Sequence, residues 1–154
     1  MLENLKMNGT LDIVLKDADG NIKEERTEKN LVVTVGLAHV VSRLKDATAT
    51  VMSHMGLGSS NTAAATAQTD LVTPLGSRVV FDATPTLITT TTANDTIQFV
   101  ATFPAGTGTG AVIEAGLFNA ATVGTMLSRT VFASGVINKG ALDSLTITWK
   151  IRAA

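Results

Sequence analysis

The stretch SLTITWKIR, residues 144–152, decides the fold class of this chain. Its apolar and polar residues alternate, which is the period-two pattern of a strand with one buried and one exposed face. The stretch Thr96–Phe103, with the sequence TIQFVATF, alternates in the same way. The apolar faces of these two strands are therefore the best candidates for the hydrophobic core, and Trp149 lies on one of them.

Shorter strand patterns surround these two. In the second half of the chain they cover residues 77–83, 87–92, 116–119 and 125–133, and turn residues separate them. In the first half, residues 10–16 alternate, residues 17–21 have the Asp, Gly and Asn residues of a tight turn, and residues 22–27 return as a polar strand. Many short strands at even spacing are typical of a sandwich or barrel.

Only one segment has a persuasive helical period. Apolar residues fall at i, i+3, i+4 and i+7 in residues 36–46, which predicts one apolar stripe along a helix. The stripe consists of Leu37, Val40, Val41 and Leu44. Residues 51–56 re-enter a sheet, and residues 58–67 are small and uncharged, which favours a surface loop.

This order predicts a mainly β fold, namely an antiparallel β-sandwich or barrel-like domain with one short α-helix near residues 36–46. Strands follow strands, so an alternating α/β fold is disfavoured. The length of 154 residues is typical of one domain, here 1–154, with residues 1–9 as an N-terminal arm. Threonine, which suits strands, occupies 24 positions.

Composition excludes several classes of function. Twelve basic and 13 acidic residues give a net charge of −1, which argues against a nucleic-acid binder. The absence of cysteine excludes disulfide scaffolds and thiolate chemistry. The N-terminus lacks the pattern of a secretory signal, and the apolar stretches are too short to cross a membrane. Weak surface charge also suits a chain that is assembled with copies or partners.

The two histidines give a weak case for catalysis. His39 falls on the polar side of the predicted helix, with Arg43 and Asp46, where a solvated helix face explains it. Ser53 and His54 are neighbours in a predicted strand, so their side chains should point to opposite faces and not reach each other. We therefore expect no catalytic residue, and the spacing of the histidines predicts no metal site.

Other candidate motifs have structural explanations. Residues 17–21 lack the third ligand and terminal glutamate of a calcium loop. The glycines of residues 106–110 match neither a P-loop nor the dinucleotide fingerprint. Glu114 and Asp143 each stand alone at the start of a strand, where nothing pairs them for acid and base roles. No cofactor is expected.

Five segments, taken in order, resemble small structural proteins of tailed bacteriophage particles. They are SHMGLG (53–58), TPLGSR (73–78), VATFPAGTG (100–108), EAGLFN (114–119) and INKG (137–140). The similarity extends from about residue 30 to residue 151, and the first 29 residues fall outside it. The resemblance implies a capsid decoration (cement) protein or a tail or fibre component, located in the virion and made in the host bacterial cytoplasm. It carries no catalytic motif.

The leading hypothesis is a non-enzymatic capsid decoration protein that acts through protein–protein contacts. Its expected partners are copies of itself, forming a trimer, and the major capsid protein, with no nucleic acid and no membrane. A tail, baseplate or fibre subunit is the first alternative, and a receptor- or carbohydrate-binding module is the second. The candidate contact residues are Leu2, Leu5, Met7, Ser59, Ser60 and Asn61. The same segments could equally be a domain-packing arm and a mobile loop.

Overall fold

The computed structural model describes residues 5–45 and 50–154. Within these ranges the chain forms twelve strands and one helix, which confirms the predicted mainly β class. In chain order the elements are β1 (Met7–Lys16), β2 (Ile22–Lys29), β3 (Leu31–Val32), α1 (Thr34–Lys45), β4 (His54–Gly58), β5 (Val79–Val80), β6 (Thr86–Ile88), β7 (Thr96–Phe103), β8 (Gly110–Val112), β9 (Glu114–Phe118), β10 (Met126–Val131), β11 (Ile137–Lys139) and β12 (Ser144–Ala153).

The strands form two antiparallel five-stranded sheets and one small two-stranded sheet. The first sheet has the order β2-β1-β12-β7-β6, and the second has the order β3-β10-β9-β4-β5. Strands β11 and β8 pair separately. In the first sheet, Trp149 of β12 is opposite Leu11 of β1 and Phe99 of β7. The two most clearly alternating strands of the sequence therefore lie side by side at the centre of one sheet.

The main core combines the inner faces of both large sheets. Ile147 and Trp149 of the first sheet belong to the same buried cluster as Leu57, Ala115 and Leu117 of the second sheet. Side chains from both sheets therefore share one apolar layer, which is the arrangement of a β-sandwich.

The predicted strand boundaries agree best with the structure where the alternation of apolar and polar residues is long. The predicted strands at 10–16, 22–27, 96–103 and 144–152 are all present. Residues 77–83 and 87–92 contain only the short strands β5 and β6. Strands β3, β8 and β11 were not predicted, because two or three residues are too few to show a period.

The helix packs with a different face from the predicted one. Gly36 is buried, and a Cβ at this position would overlap the carbonyl oxygen of Leu127 in β10. The helix backbone therefore approaches the sheet at Gly36 and Val40, and Val40 packs against the main core. At about 100° per residue, Leu37, Val41 and Leu44 are centred roughly a quarter turn away from this contact. The predicted apolar stripe is consequently exposed, apart from Val40.

Candidate functional site

A fully buried ion pair lies under the loop that follows β4. Glu114 begins β9 and Arg129 lies in β10, and both side chains are completely excluded from solvent. Arg129 Nε donates to Glu114 Oε2 at 2.8 Å, and Nη2 lies 2.7 Å from the same oxygen, outside hydrogen-bond geometry. Glu114 was predicted to stand alone at the start of a strand, whereas the structure pairs it with a cation.

This ion pair fastens a segment that we call the strap, residues 59–73. Glu114 accepts backbone N–H groups from three strap residues, which are Ser60 at 3.3 Å, Val72 at 3.1 Å and Thr73 at 2.8 Å. Arg129 Nη1 donates to the Thr62 carbonyl at 3.0 Å and to Gln68 Oε1 at 2.9 Å. The carboxylate is thus engaged by four donor groups, so its role is structural rather than that of a general base.

The strap covers the outer face of the second sheet. Leu71 of the strap forms a separate buried cluster with Phe118 of β9 and Met126 of β10, together with Val33. Strand β9 is buried on both of its faces as a result. The loop predicted at residues 58–67 is therefore one end of a covering layer, held by side chains of the strands beneath it.

The contact residues predicted in the loop differ in their exposure to solvent. Asn61 is exposed, whereas Ser59 and Ser60 are half-buried. Ser59 donates its backbone N–H to the Thr73 carbonyl at 2.8 Å, which ties the two ends of the strap together. Asn61 is thus the member of this group whose side chain is well placed to contact another protein.

The predicted N-terminal arm is shorter than residues 1–9. Met7 begins β1 and is opposite Ala153 of β12, and Lys6 exchanges two backbone hydrogen bonds with Ala154. Residues 7–9 therefore belong to the first sheet, because the C-terminal strand offers them a partner. Leu5 is exposed, and Leu2 lies outside the described residues. Leu5 and Met7 adjoin the first sheet, whereas Ser59, Ser60 and Asn61 lie over the second.

The expectation that Ser53 and His54 cannot reach each other is wrong. Ser53 Oγ lies 2.7 Å from His54 Nδ1. The alternation of side chains holds only inside a strand, and β4 begins at His54, so Ser53 is free of it. A serine–histidine hydrogen bond is not by itself a nucleophilic site, because acyl transfer also needs an oriented base and oxyanion donors.

An apolar groove of about 440 Å³ lies between α1 and the end of the first sheet. Its walls include Met7, Met52 and Phe99, and His39 and Arg43 of the helix also line it. Burial lowers the pKa of His39 from its ordinary value, and the charge of Arg43 adds to the effect. His39 is thus half-buried, rather than on a solvated face as predicted. Its lowered pKa keeps the imidazole mainly neutral at pH 7. Asp46 lies outside the described residues.

The helix exposes a ridge of large apolar side chains, which we call the helix face: Leu37, Val41 and Leu44. Their exposed fractions are 45%, 64% and 86%. They occupy positions i, i+4 and i+7, so they line up along one side of α1. The last turn of the same helix carries Arg43 and Lys45, and its first turn carries no acidic residue.

In residues 5–45 and 50–154, no three His, Asp or Glu side chains come together as a metal site would require. Helix α1, the helix in the part of the chain that the structure describes, is not long and apolar enough to span a bilayer.

Asp95 organises a threonine-rich loop before β7. Its carboxylate accepts backbone N–H groups from Thr90, Thr91 and Thr92, each at 3.0 Å, and Arg152 Nε lies 3.2 Å away. The N–H of Thr92, followed by those of Thr91 and Thr90, holds the pKa of Asp95 far below its ordinary value. These donors thus stabilise the charged form of the carboxylate.

We expect this carboxylate to make stability depend on pH. Because the folded pKa of Asp95 is depressed, its contribution is complete above the unfolded value of about 3.9 and declines as pH falls below that value. Urea midpoints of the wild type and Asp95→Asn should therefore differ most at neutral pH, and the difference should shrink between about pH 4 and pH 2. A difference that stays constant over this range would contradict the assignment.

Comparison of the chain with protein-family models, with curated proteins and with solved structures gives no match.

Proposed function

We propose that this protein is a non-enzymatic structural subunit of a tailed-bacteriophage particle, most simply a capsid decoration protein that clamps neighbouring shell subunits. The exposed helix face is the observation that carries the proposal. Contiguous exposed apolar side chains on a soluble domain mark a surface that another molecule covers. The resemblance of five segments to phage structural proteins supports a phage particle as the kind of assembly.

The ionisable groups of the chain support a structural role. The carboxylate of Glu114 is hydrogen-bonded to Arg129 and to the strap, and the carboxylate of Asp95 is hydrogen-bonded to the threonine-rich loop before β7. Asp143 accepts from Lys23 Nζ at 2.6 Å and from the backbone of Gly140 at 2.7 Å. In each case a carboxylate accepts backbone N–H groups, which supports a role in fixing the fold.

The single tryptophan weighs against the carbohydrate-binding alternative. Trp149 is fully buried at the centre of the first sheet, so its ring is unavailable as a stacking platform for a sugar. An assembly subunit needs no such platform, because its affinity comes from protein–protein contact area that is repeated at many positions around a shell.

Labelling of intact particles tests the location. Antibody raised against the purified chain should decorate the capsid shell in electron micrographs. Label confined to the tail would replace the decoration proposal with a tail, baseplate or fibre subunit. Label on neither part would refute a virion role.

A charged substitution on the helix face tests the contact itself. We expect Val41→Glu to reduce binding to particles that lack the protein by about a hundredfold, because a carboxylate would be buried without a partner. Val80→Glu is the matched control, since Val80 in β5 is 65% exposed and Val41 is 64% exposed. Binding is measured by co-sedimentation. Equal losses for both variants would contradict a specific role for the helix.

A further inference from the structure

The loop between β9 and β10, residues 119–125, holds a valine in an unusual backbone conformation. Val123 has a φ of 57°, and Gly124 follows it with a φ of 68°. Positive φ suits glycine and is tolerated by asparagine, but a β-branched residue rarely adopts it. The other non-glycine residue with positive φ in the described residues is Asn94, which is of the tolerant type. The loop itself therefore gives no reason for valine, because asparagine or glycine would form it with less strain.

The side chain of the same valine lies in solvent. Its exposed fraction is 85%, so it adds little to the core. An exposed apolar side chain in a strained conformation brings no benefit to an isolated copy of the chain. Backbone strain of this kind is found where a function requires it and the surrounding structure holds it. Val123, which we call the knob, is therefore a candidate contact residue.

Arg78 holds the knob in this conformation. Its Nη1 donates to the carbonyl of Val123 at 2.7 Å and to the carbonyl of Ala120 at 3.0 Å. The guanidinium lies over the Phe118 ring, 3.4 Å from the ring centroid, and Nη2 donates to Asp70 Oδ1 at 2.9 Å. Because Arg78 is itself fixed by these contacts, the loop presents its valine in a preorganised position.

A recess of about 410 Å³ adjoins the knob. One of its walls is formed within residues 70–78, at the end of the strap and just after it, and the other wall is the knob's own loop. Its apolar lining residues include Leu57, Leu71, Pro74 and Ala121. The charged residues of the lining are Asp70 and Arg78, which form an ion pair at 2.9 Å. The recess is therefore electrically balanced and partly apolar, which suits an apolar side chain.

A protrusion that adjoins a recess is self-complementary, because a two-fold rotation places the protrusion of each copy in the recess of the other. We propose that two copies of this chain associate in this way, with the knob of each copy in the recess of its partner. The contact brings no excess of like charge together. Residues 119–125 carry no charged side chain, and the two charges of the recess are paired with each other.

This contact goes beyond the proposed shell contact, because it uses none of the residues of the helix face. A shell protein is the other possible recipient of the knob. A second copy is favoured because the recess lies beside the knob on the same chain, and an isologous contact fills both at once. The contact yields a two-fold dimer, which differs from the trimer expected from the sequence.

Val123→Asn tests the contact through two measurements that should move in opposite directions. Asparagine tolerates positive φ, so the variant should unfold at a higher urea concentration than wild type. It also replaces the apolar knob with a polar side chain, so the dimer measured by sedimentation equilibrium should weaken about tenfold or more. Val136→Asn is the control, since Val136 is an exposed valine outside the recess and its substitution should leave the dimer unchanged.

Cross-linking tests the geometry. The chain contains no cysteine, so an introduced thiol reports a single contact. Ser77 lines the recess, and a disulfide forms only where the two Cα atoms come within about 7 Å. Oxidation of a 1:1 mixture of Val123→Cys and Ser77→Cys should therefore give a mixed disulfide dimer, identified by mass spectrometry. A mixture of Val136→Cys and Ser77→Cys should give none.

Three outcomes would overturn the inference. Wild type could remain monomeric at the highest attainable concentration, the dimer could be as strong in Val123→Asn as in wild type, or the mixed disulfide could fail to form. Loss of shell binding in Val123→Asn with an unchanged dimer would assign the knob to the shell protein instead. Failure of the proposed function is a separate result, because Val41→Glu should lose shell binding and still form the dimer.

Discussion

Replacing Glu114 by alanine is expected to destabilise the fold by about 3–5 kcal/mol. This is the cost of leaving one partner of a buried ion pair uncompensated, since the Arg129 guanidinium would stay fully excluded from solvent without its carboxylate. The backbone N–H groups of Val72 and Thr73 would lose their acceptor at the same time. Urea unfolding followed by circular dichroism measures the effect.

The matched control is an exposed ion pair in the first sheet. Lys150 Nζ lies 3.1 Å from Asp12 Oδ2, and both side chains are substantially solvated. We expect Asp12→Ala to cost no more than about 1 kcal/mol, because solvent screens such pairs. Similar losses for Asp12→Ala and Glu114→Ala would show that burial adds nothing to the Glu114–Arg129 pair.

A double substitution separates charge from strap anchoring. In Glu114→Gln with Arg129→Met neither charge is buried, and the glutamine oxygen can still accept an N–H group from the strap. We expect this variant to recover part of the stability lost in Glu114→Ala, since removing both charges avoids an unpaired one. If it is no more stable than Glu114→Ala, the unpaired charge of Arg129 does not account for the loss in Glu114→Ala.

Long alternation explains why the long strands of the first sheet, although not their order, could be predicted from the sequence. Strands β7 and β12 each carry a run of alternating residues that fixes both the strand and its buried face. The orientation of α1 could not be predicted in this way. Its apolar residues define a stripe, but Gly36 decides the contact, because only glycine allows the helix backbone to approach the Leu127 carbonyl.

The buried ion pair could not be predicted from the sequence for a different reason. Glu114 and Arg129 are 15 positions apart, and the strap that they hold ends 41 positions before Glu114. A sequence pattern reports periodicity, not which distant segment covers a face. One signal was present, since Arg129 interrupts a predicted strand that is otherwise suited to burial. A charge in such a position indicates a buried partner.

Ser53 shows the limit of alternation as evidence. The predicted strand at 51–56 places Ser53 inside a regular element, where it would point away from His54. The observed strand begins at His54, so its alternation does not extend to Ser53, and Ser53 Oγ lies 2.7 Å from His54 Nδ1. A strand boundary displaced by a few residues thus reversed the inference about two side chains.

Trp149→Ala is the second substitution from which we expect a loss of about 3–5 kcal/mol, because it removes the largest fully buried side chain in the described residues. The indole lies between the cross-strand neighbours Leu11 and Phe99, in the middle of the first sheet. Both neighbours belong to strands paired on each side of β12, so the surrounding structure has little freedom to collapse into the cavity. Circular dichroism is the suitable probe, since the substitution removes the only tryptophan.

Trp149→Phe should cost much less, about 1 kcal/mol, although it also removes the indole N–H. Trp149 Nε1 is buried and has no hydrogen-bond partner among the described residues. Losing this donor therefore removes a desolvated polar group rather than a bond, which offsets part of the lost packing. Thr148→Ala on the solvent side of β12 controls for any substitution in this strand. If Trp149→Phe were as destabilising as Trp149→Ala, the indole N–H would have to donate a hydrogen bond. That result would contradict the packing described here for the centre of the sandwich.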